Sequence, residues 1–503
     1  MDHSGYIMAI DQGTTSTRAI LFNHRGEVHS MGSREIKQIY PQPGWVEHDP
    51  IDVWQSVLDC AREALKKGHA KIDQVRGIGI TNQRESTVLW ERDTGKAVHN
   101  IIGWACRRTA QICDELKAAG HEQAVREKTG LPIDAYFSAT KARWIIDKVP
   151  GLQKQIDRGN IAMGCIDSWI IWNLSGGKSH VTDVSQASRT MLLNIHDIAW
   201  DKEILSWLNL PESILPTVLP SSGVMATTDP AAFLGGTIPI AGDAGDQQAA
   251  TFGQACFHPG QAKNSYGTAL AVMLNIGEKP SPPSKNGLMV DMGWKVGGRL
   301  GYCLEGVIFN GGFAVGWLKN GLRAISTAAE CSELAAKLPD NEGVYLVPAF
   351  SGLGSPYWDM YARGIIIGIT RGTTLEHIAR AALESIAYQT RDVLESMRSD
   401  SGTQVRSLRA DGGGTQSELL MQFQADILGI PVEVPVVTEM AALGAAYLAG
   451  LGVGFWENME ELERQWKVDK TYAPRMGEDQ RESLYANWKR AVERSFKWAT
   501  PQG

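Results

Sequence analysis

The stretch Tyr6-Ile7-Met8-Ala9-Ile10-Asp11-Gln12-Gly13-Thr14-Thr15-Ser16-Thr17-Arg18-Ala19-Ile20-Leu21-Phe22 decides how this chain is read. An apolar run, a polar turn and a second apolar run predict strand, tight turn, strand. Gly13 permits the sharp reversal, and the backbone N–H groups and hydroxyls of Thr14, Thr15 and Ser16 can face a phosphate. Arg18 adds positive charge. A carboxylate at Asp11, beside such a turn, can hold Mg²⁺ directly or through water. An ordinary hairpin with polar turn residues is the plainer reading, and on this segment alone both stand.

A second segment has the same grammar. Ala262-Lys-Asn-Ser-Tyr-Gly-Thr-Ala-Leu-Ala-Val-Met-Leu-Asn275 again flanks a Gly-Thr pair, Gly267-Thr268, with apolar runs. A further pair repeats downstream of each hairpin. Val75-Arg-Gly-Ile-Gly-Ile-Thr-Asn82 resembles Val405-Arg-Ser-Leu-Arg-Ala-Asp-Gly412, each a short strand ending in a polar cluster. A hairpin, a helix and a strand in each half suggest a duplicated α/β unit with a cleft between the copies. Chance likeness of short strands is the alternative. The 503 residues exceed one ordinary core. We expect a division into residues 1–253 and 254–503.

Helices are placed by their ends. Asp49-Pro50 is a cap with a first-turn proline, Val53, Val57, Ala61 and Ala64 follow at helical spacing, and Gly68 ends the run. Thr373-Thr-Leu-Glu376 reads as a capping box. Ser417 caps Glu418–Leu428, which closes at Gly429, and Met440–Leu448 is an alanine-rich helix in which Gly444 allows close packing.

Composition narrows the function classes. Hydrophobic residues at 43% and charged residues at 21% are ordinary for a globular chain. The net charge is −7, with no Lys/Arg-rich run, which argues against nucleic acid or an anionic membrane as a partner. Seven scattered cysteines without CxxC spacing suggest neither a zinc site nor a redox dithiol. The start Met1-Asp2-His3 and the short apolar run after it do not form a signal peptide, and no stretch is long enough to span a bilayer. A cytoplasmic protein is expected.

Four other segments can carry chemistry. Asp411-Gly412-Gly413-Gly414-Thr415 joins a strand to the helix capped by Ser417, so a ligand can approach the backbone at a helix N-terminus. Gly311-Gly312 is another close-approach point. Gly242-Asp-Ala-Gly-Asp246-Gln247-Gln248 places two carboxylates after the strand Thr237–Ala241, where one can accept a proton from a hydroxyl or simply cap the next helix. Arg84-Glu85 offers a donor fork and an acceptor suited to a vicinal diol, or else a surface ion pair. A Walker loop is absent, because Trp172 stands where Gly177-Lys178-Ser179 needs its leading glycine. The histidines are isolated, which gives hydrolase readings little support.

Together these segments resemble the FGGY carbohydrate kinases. The likeness runs through Ile10–Arg18, Thr81-Asn-Gln-Arg-Glu85, Tyr136–Trp144, Ser188-Arg-Thr-Met-Leu192, Gly245-Asp-Gln-Gln248, Gly352–Trp358 and Met421–Asp426. It implies an α/β fold of two actin-like ATPase (ribonuclease H-like) domains around an interdomain cleft, agreeing with the duplication. It further implies ATP-dependent, in-line phosphorylation of glycerol to sn-glycerol 3-phosphate, the entry step of glycerol catabolism. Asp246 would be the general base, with Asp11 and Asp246 near Mg²⁺ and Arg84 at the reacting hydroxyl. Arg84, Glu85, Tyr136, Asp246 and Gln247 would bind the polyol, with Trp104 along its carbon chain. Thr14, Thr15, Ser16, Arg18, Thr268, Gly311 and Gly312 would surround the phosphates, and Gly412 and Gly413 would lie against the adenosine. A homodimer or homotetramer is the implied assembly.

Three positions depart from the family pattern. Ala271 stands where glycerol-specific members carry a phenylalanine against the substrate, which favours a larger polyol or ketose such as erythritol or xylulose. Ser417 replaces an asparagine in the adenosine loop. Thr237-Ile238 lacks the intervening arginine associated with inhibition by fructose 1,6-bisphosphate, so a weak response to that effector is expected. A chaperone-type ATPase is disfavoured by the polyol motif, and an inactive relative by the presence of both Asp11 and Asp246.

Overall fold

The computed structural model describes residues 5–499, so the Met1-Asp2-His3 start lies outside the described residues. Two large sheets organise them. The first runs Ser222–Thr227, Pro239–Gly245, Val75–Asn82, Tyr6–Gln12, Ser16–Phe22, Val28–Glu35 from edge to edge. The second runs Met289–Val296, Arg299–Ile308, Leu270–Gly277, Gln261–Tyr266, Ser407–Asp411, Val432–Pro435, Val468–Tyr472. In each, a run of antiparallel strands begins with the Gly-Thr hairpin, consecutive in the first sheet and with Arg299–Ile308 inserted before Met289–Val296 in the second. Its first strand then pairs in parallel with a strand from much later in the sequence. The duplication expected from short segments is therefore a duplication of topology.

Local chemistry explains the elements. The two hairpin strands of the first half are apolar on both faces because both faces are covered. Met8, Ile10, Ala19 and Leu21 join one core, while Ile7, Ala9, Ile20 and Phe22 join another. Helix Pro50–Lys67 starts where the Asp49 carboxylate accepts from Ile51 N and stops at Gly68. Helix Glu418–Leu428 is capped by the Ser417 hydroxyl and ends at Gly429, whose φ is +69°.

Three boundaries shift. The capping box of helix Leu375–Ser401 is Thr374 with His377, one residue later than Thr373-Glu376. The Thr373 hydroxyl instead accepts from Thr370 N at 2.8 Å. The strand expected at 237–241 is Pro239–Gly245, and the alanine-rich helix runs on to Gly452. That helix leaves its own sheet and lies against Asp246–Gly253 and the first sheet. A Cβ on Gly444 would sit 1.8 Å from Ala249 O, and one on Gly79 2.0 Å from Ala445 O. Only glycine fits either contact, so the two halves meet backbone to backbone here. Between Asn82 and Ser222 the first half carries an added lobe, built on buried residues such as Leu131, Phe137, Ile145 and Met191. It delivers Trp104, Tyr136 and Arg189 to the cleft.

Candidate active site

The N-terminal hairpin turns where Gly13 N donates to Ser16 O at 2.9 Å, leaving Thr14 half-buried and Thr15 exposed. Asp11 and Arg18 are register partners on its two strands. The Arg18 guanidinium reaches Glu439 at 2.5 Å, at the start of the alanine-rich helix. Burial pushes the Asp11 carboxyl up to about 7. The Arg18 charge works against that, and the neighbouring Asp246 and Glu439 charges add to it.

The second Gly-Thr turn is assembled from two glycine segments. Gly312 N donates to Gly267 O at 3.0 Å, and Gly311 N and Phe313 N both donate to Thr268 O at 3.1 Å. A Cβ on Gly312 would stand 2.6 Å from Gly267 O. Gly412, at φ +86°, passes just as close to Tyr266 O, and Gly413 beside it is exposed. Thr268, Gly311, Gly312, Gly412 and Gly413 are thus gathered around one reversal of the chain, Tyr266–Thr268.

Asp246 opens helix Asp246–Gly253, directly after the N-cap Gly245. Its Oδ1 accepts from Gln247 N at 2.7 Å and lies 3.2 Å from Arg84 Nε. The other carboxylate of that motif, Asp243, is inside the strand, fully buried beside Asp167 and Asp183 and away from Asp246's neighbours. Burial raises the Asp246 carboxyl above its ordinary value; the Arg84 and Lys263 charges oppose that rise. Arg84 and Glu85 are 4% and 1% exposed, which excludes the surface ion pair. Glu85 has φ +59°, an uncommon conformation held by its surroundings. Its backbone oxygen accepts from Thr87, Ser138 and Lys141 side chains at 3.0–3.2 Å.

Beneath these residues is an ion-pair network that sequence reasoning missed. Arg84 grips Glu305 bidentately at 2.9 and 2.6 Å. Arg189 holds Glu85 at 2.6 Å, Asp291 at 2.7 Å and Glu305 at 2.8 Å. The two arginines come from the first half, and Asp291 and Glu305 from the second sheet. The paired guanidinium charges hold the Glu305 carboxyl well below the usual range even though burial opposes them. Lys263 adds a buried cation whose Nζ donates to Gln247 Oε1 and, at 3.1 Å, to Ser265 Oγ. Trp104 donates from Nε1 to Thr14 Oγ1 at 3.0 Å and packs edge-on against Tyr136, so the N-terminal Gly-Thr turn and the aromatic pair are physically joined.

Two family models match in sequence order: the FGGY carbohydrate kinase N-terminal domain over residues 6–253, and the C-terminal domain over 262–453. The chain belongs to the FGGY family of carbohydrate kinases. Among its relatives, glycerol kinase of Caldanaerobacter subterraneus is 57% identical over 98% of this chain and 99% of the relative. Glycerol kinase 2 of Thermotoga maritima is 57% identical with the same coverage. The crystal structure of Plasmodium falciparum glycerol kinase with ADP superposes with a TM-score of 0.92 at 35% identity, covering 98% of both chains. The FGGY fold, two actin-like ATPase units, accounts for the paired sheets, and this kinase is an ATP-using phosphotransferase without a Walker loop. Among the described residues no helix is long and apolar enough to cross a membrane, and all seven cysteines are buried and free.

Among the described residues no three His, Cys, Asp or Glu side chains converge as metal ligands. Asp11, crowded by Asp246 and Glu439 with only Arg18 in compensation, is a place where a divalent cation would relieve surplus negative charge.

Proposed function

We propose that this kinase phosphorylates glycerol, transferring the γ-phosphoryl group of MgATP to a terminal hydroxyl to give sn-glycerol 3-phosphate. The observation that carries the mechanism is the 3.2 Å approach of Arg84 Nε to Asp246 Oδ1 at the head of a helix. It fixes one carboxylate oxygen, leaving the group aimed as a base at a hydroxyl held by Arg84, Glu85, Tyr136 and Gln247. Asp246 takes the hydroxyl proton as the oxygen attacks phosphorus in line, and ADP leaves with the broken P–O electron pair. Burial raises the Asp246 carboxyl toward the range in which a carboxylate is a useful base. Asp11, with Asp246 near it, would hold Mg²⁺, which when bound neutralises charge on the transferring group. Thr14, Thr15, Ser16 and Arg18 on one side, and Thr268, Gly311 and Gly312 on the other, would take the phosphates. Gly412 and Gly413 would lie against adenosine, and Trp104 would line the carbon chain.

The proposed bodies are residues 1–253 and 254–503, moving about the crossing helices Asp246–Gly253 and Met440–Gly452. The relatives at 57% identity named glycerol kinase support glycerol. Ala271 supports a second reading, a longer polyol or ketose in the same site. Initial rates of ADP formation with glycerol, dihydroxyacetone, erythritol, xylulose and water alone decide between them. Glycerol should dominate, and Asp246→Asn should lower that rate by about 10²–10⁴-fold. A faster rate with erythritol or xylulose would transfer the assignment to the second reading. Polyol-independent ADP release that survives the substitution would overturn both.

A further inference from the structure

We infer that Glu305 and Lys263, on strands of the second sheet, are positioning residues for the polyol, so the polyol pocket is complete only when the two halves are together. The inference rests on the polyol site proposed above and extends it to residues of the other half.

Two of the proposed polyol ligands are held from across the cleft. Arg84 lies in the first half, yet its Nη1 and Nη2 are both taken by Glu305 of strand Arg299–Ile308. Nη1 also reaches Gln248 Oε1 at 3.2 Å, and Nε faces Asp246. A planar fork gripped at both terminal nitrogens has one orientation. Glu305 therefore sets the plane in which Arg84 meets a hydroxyl and Asp246. Glu305 is itself fully buried and held by Arg189 at 2.8 Å, so this grip is rigid.

Gln247 is held the same way. Lys263, on strand Gln261–Tyr266, is completely buried, and its ammonium engages Gln247 Oε1. With the amide oxygen occupied, the amide NH₂ is the end of Gln247 left to donate to a hydroxyl. The half that carries the nucleotide-side turns thus orients both a guanidinium and an amide on the polyol side. Separating the halves would release both at once. The first half alone keeps Gln248 and Asp246 on Arg84 but loses the two-point carboxylate grip of Glu305 and the ammonium of Lys263.

The test is steady-state kinetics with MgATP and glycerol on wild type, Glu305→Gln, Lys263→Met and Lys263→Arg, with thermal melts to confirm folding. Glu305→Gln keeps the volume but removes the charge that pairs both arginine nitrogens. It should raise the glycerol KM about 10–100-fold while the ATP KM changes less than about threefold, the scale of misplacing a substrate-orienting group. Lys263→Met should raise the glycerol KM about tenfold, and Lys263→Arg should restore most of that. Titration of glycerol without nucleotide, read by tryptophan fluorescence, should show the same loss in affinity. Folded variants whose glycerol KM and affinity match wild type, or whose loss falls on the ATP KM, would overturn the inference. If Glu305→Gln does not fold, the Met and Arg variants at 263 decide the matter by the same readings. A wild type without glycerol-dependent turnover would instead overturn the proposed substrate, and the same variants titrated with the polyol that does drive turnover would then read the inference separately.

Discussion

Two residues before the Gly-Thr pair of the first hairpin stands Asp11, with Arg18 across one strand and Thr81 across the other. At the same place in the second hairpin stands Ser265, with Ala271 and Asp411 as its neighbours. The backbones repeat, but the carboxylate has moved one strand over, Ala271 takes the rung of Arg18, and the cation, Lys263, comes from the first strand instead. The environments differ accordingly. Asp411 is buried and accepts from Gln254 Nε2 at 2.9 Å, a tie within the protein. Asp11 has Arg18 as its one nearby cation and like charges around it. The two turns are equivalent in backbone and differ in side chains: the first sets a carboxylate and an arginine on facing strands, and the second is a cradle of backbone around Gly267, Gly312 and Gly412.

The sharpest way to break that comparison is to neutralise each carboxylate in turn. Asp11→Asn should lower kcat by about 10²–10³-fold, the scale of losing one electrostatic stabiliser at a transferring group, and should raise the Mg²⁺ concentration needed for half-maximal rate. Asp411→Asn keeps an acceptor for Gln254 and should change kcat less than about threefold. Equal losses in the two variants, measured in parallel Mg²⁺ titrations, would mean that the two positions are functional equivalents after all.

Legibility in the sequence follows the range of the interaction. The hairpins, the cap at Asp49 and the helix closed by Gly429 are set by residues within a few positions of one another, and their sequence signals hold. Gly444 was readable because a glycine in an alanine-rich helix points to close packing. The capping box moved by one because two adjacent threonines offer equal caps, and the loop amide of Thr370 decided which one was free. The network of Arg189, Asp291, Glu305 and Lys263 carries no such signal. Arg84 and Glu305 are 221 residues apart, and Arg189 and Asp291 are 102 apart. Each looks locally like an ordinary polar residue in a strand or short helix. Arg189 stands inside the Ser188–Leu192 motif, and Lys263 inside the repeated hairpin. The meeting of the two halves gives Arg189 its carboxylates Asp291 and Glu305, and gives Lys263 its contact with Gln247.

The second turn, proposed above to face the nucleotide, makes its own prediction. Gly412 passes Tyr266 at φ +86°, and a Cβ there would meet Tyr266 O at 2.8 Å. Gly412→Ala forces the loop away from that reversal, because an L side chain is strained at this φ and the obstacle is backbone. The ATP KM should rise about tenfold with the glycerol KM unchanged. A matching rise in both would show that the cradle and the polyol side are less separable than the two hairpins suggest.

Ala271 is the smallest and most discriminating point of the comparison, since it occupies the rung position that Arg18 holds in the other hairpin. It is half-buried and pairs with Ser265 on one side and Val307 on the other. Its methyl group is far smaller than the phenylalanine that the family resemblance leads one to expect at this position. Ala271→Phe should therefore shift the ratio of kcat/KM for glycerol over erythritol toward glycerol by about tenfold, the low end of what a change in pocket volume achieves. The gain should come mainly from a loss on erythritol, because the substitution leaves Arg84, Glu85 and Gln247, the polyol partners proposed above, unchanged. If both substrates lose equally, the Trp104–Tyr136 wall already limits the pocket to three carbons and Ala271 is room the added ring cannot enter without displacing Val307. If glycerol gains outright, Ala271 is the reason this kinase tolerates longer polyols, and a substitution at the neutral rung tunes specificity while one at the charged rung stops the chemistry.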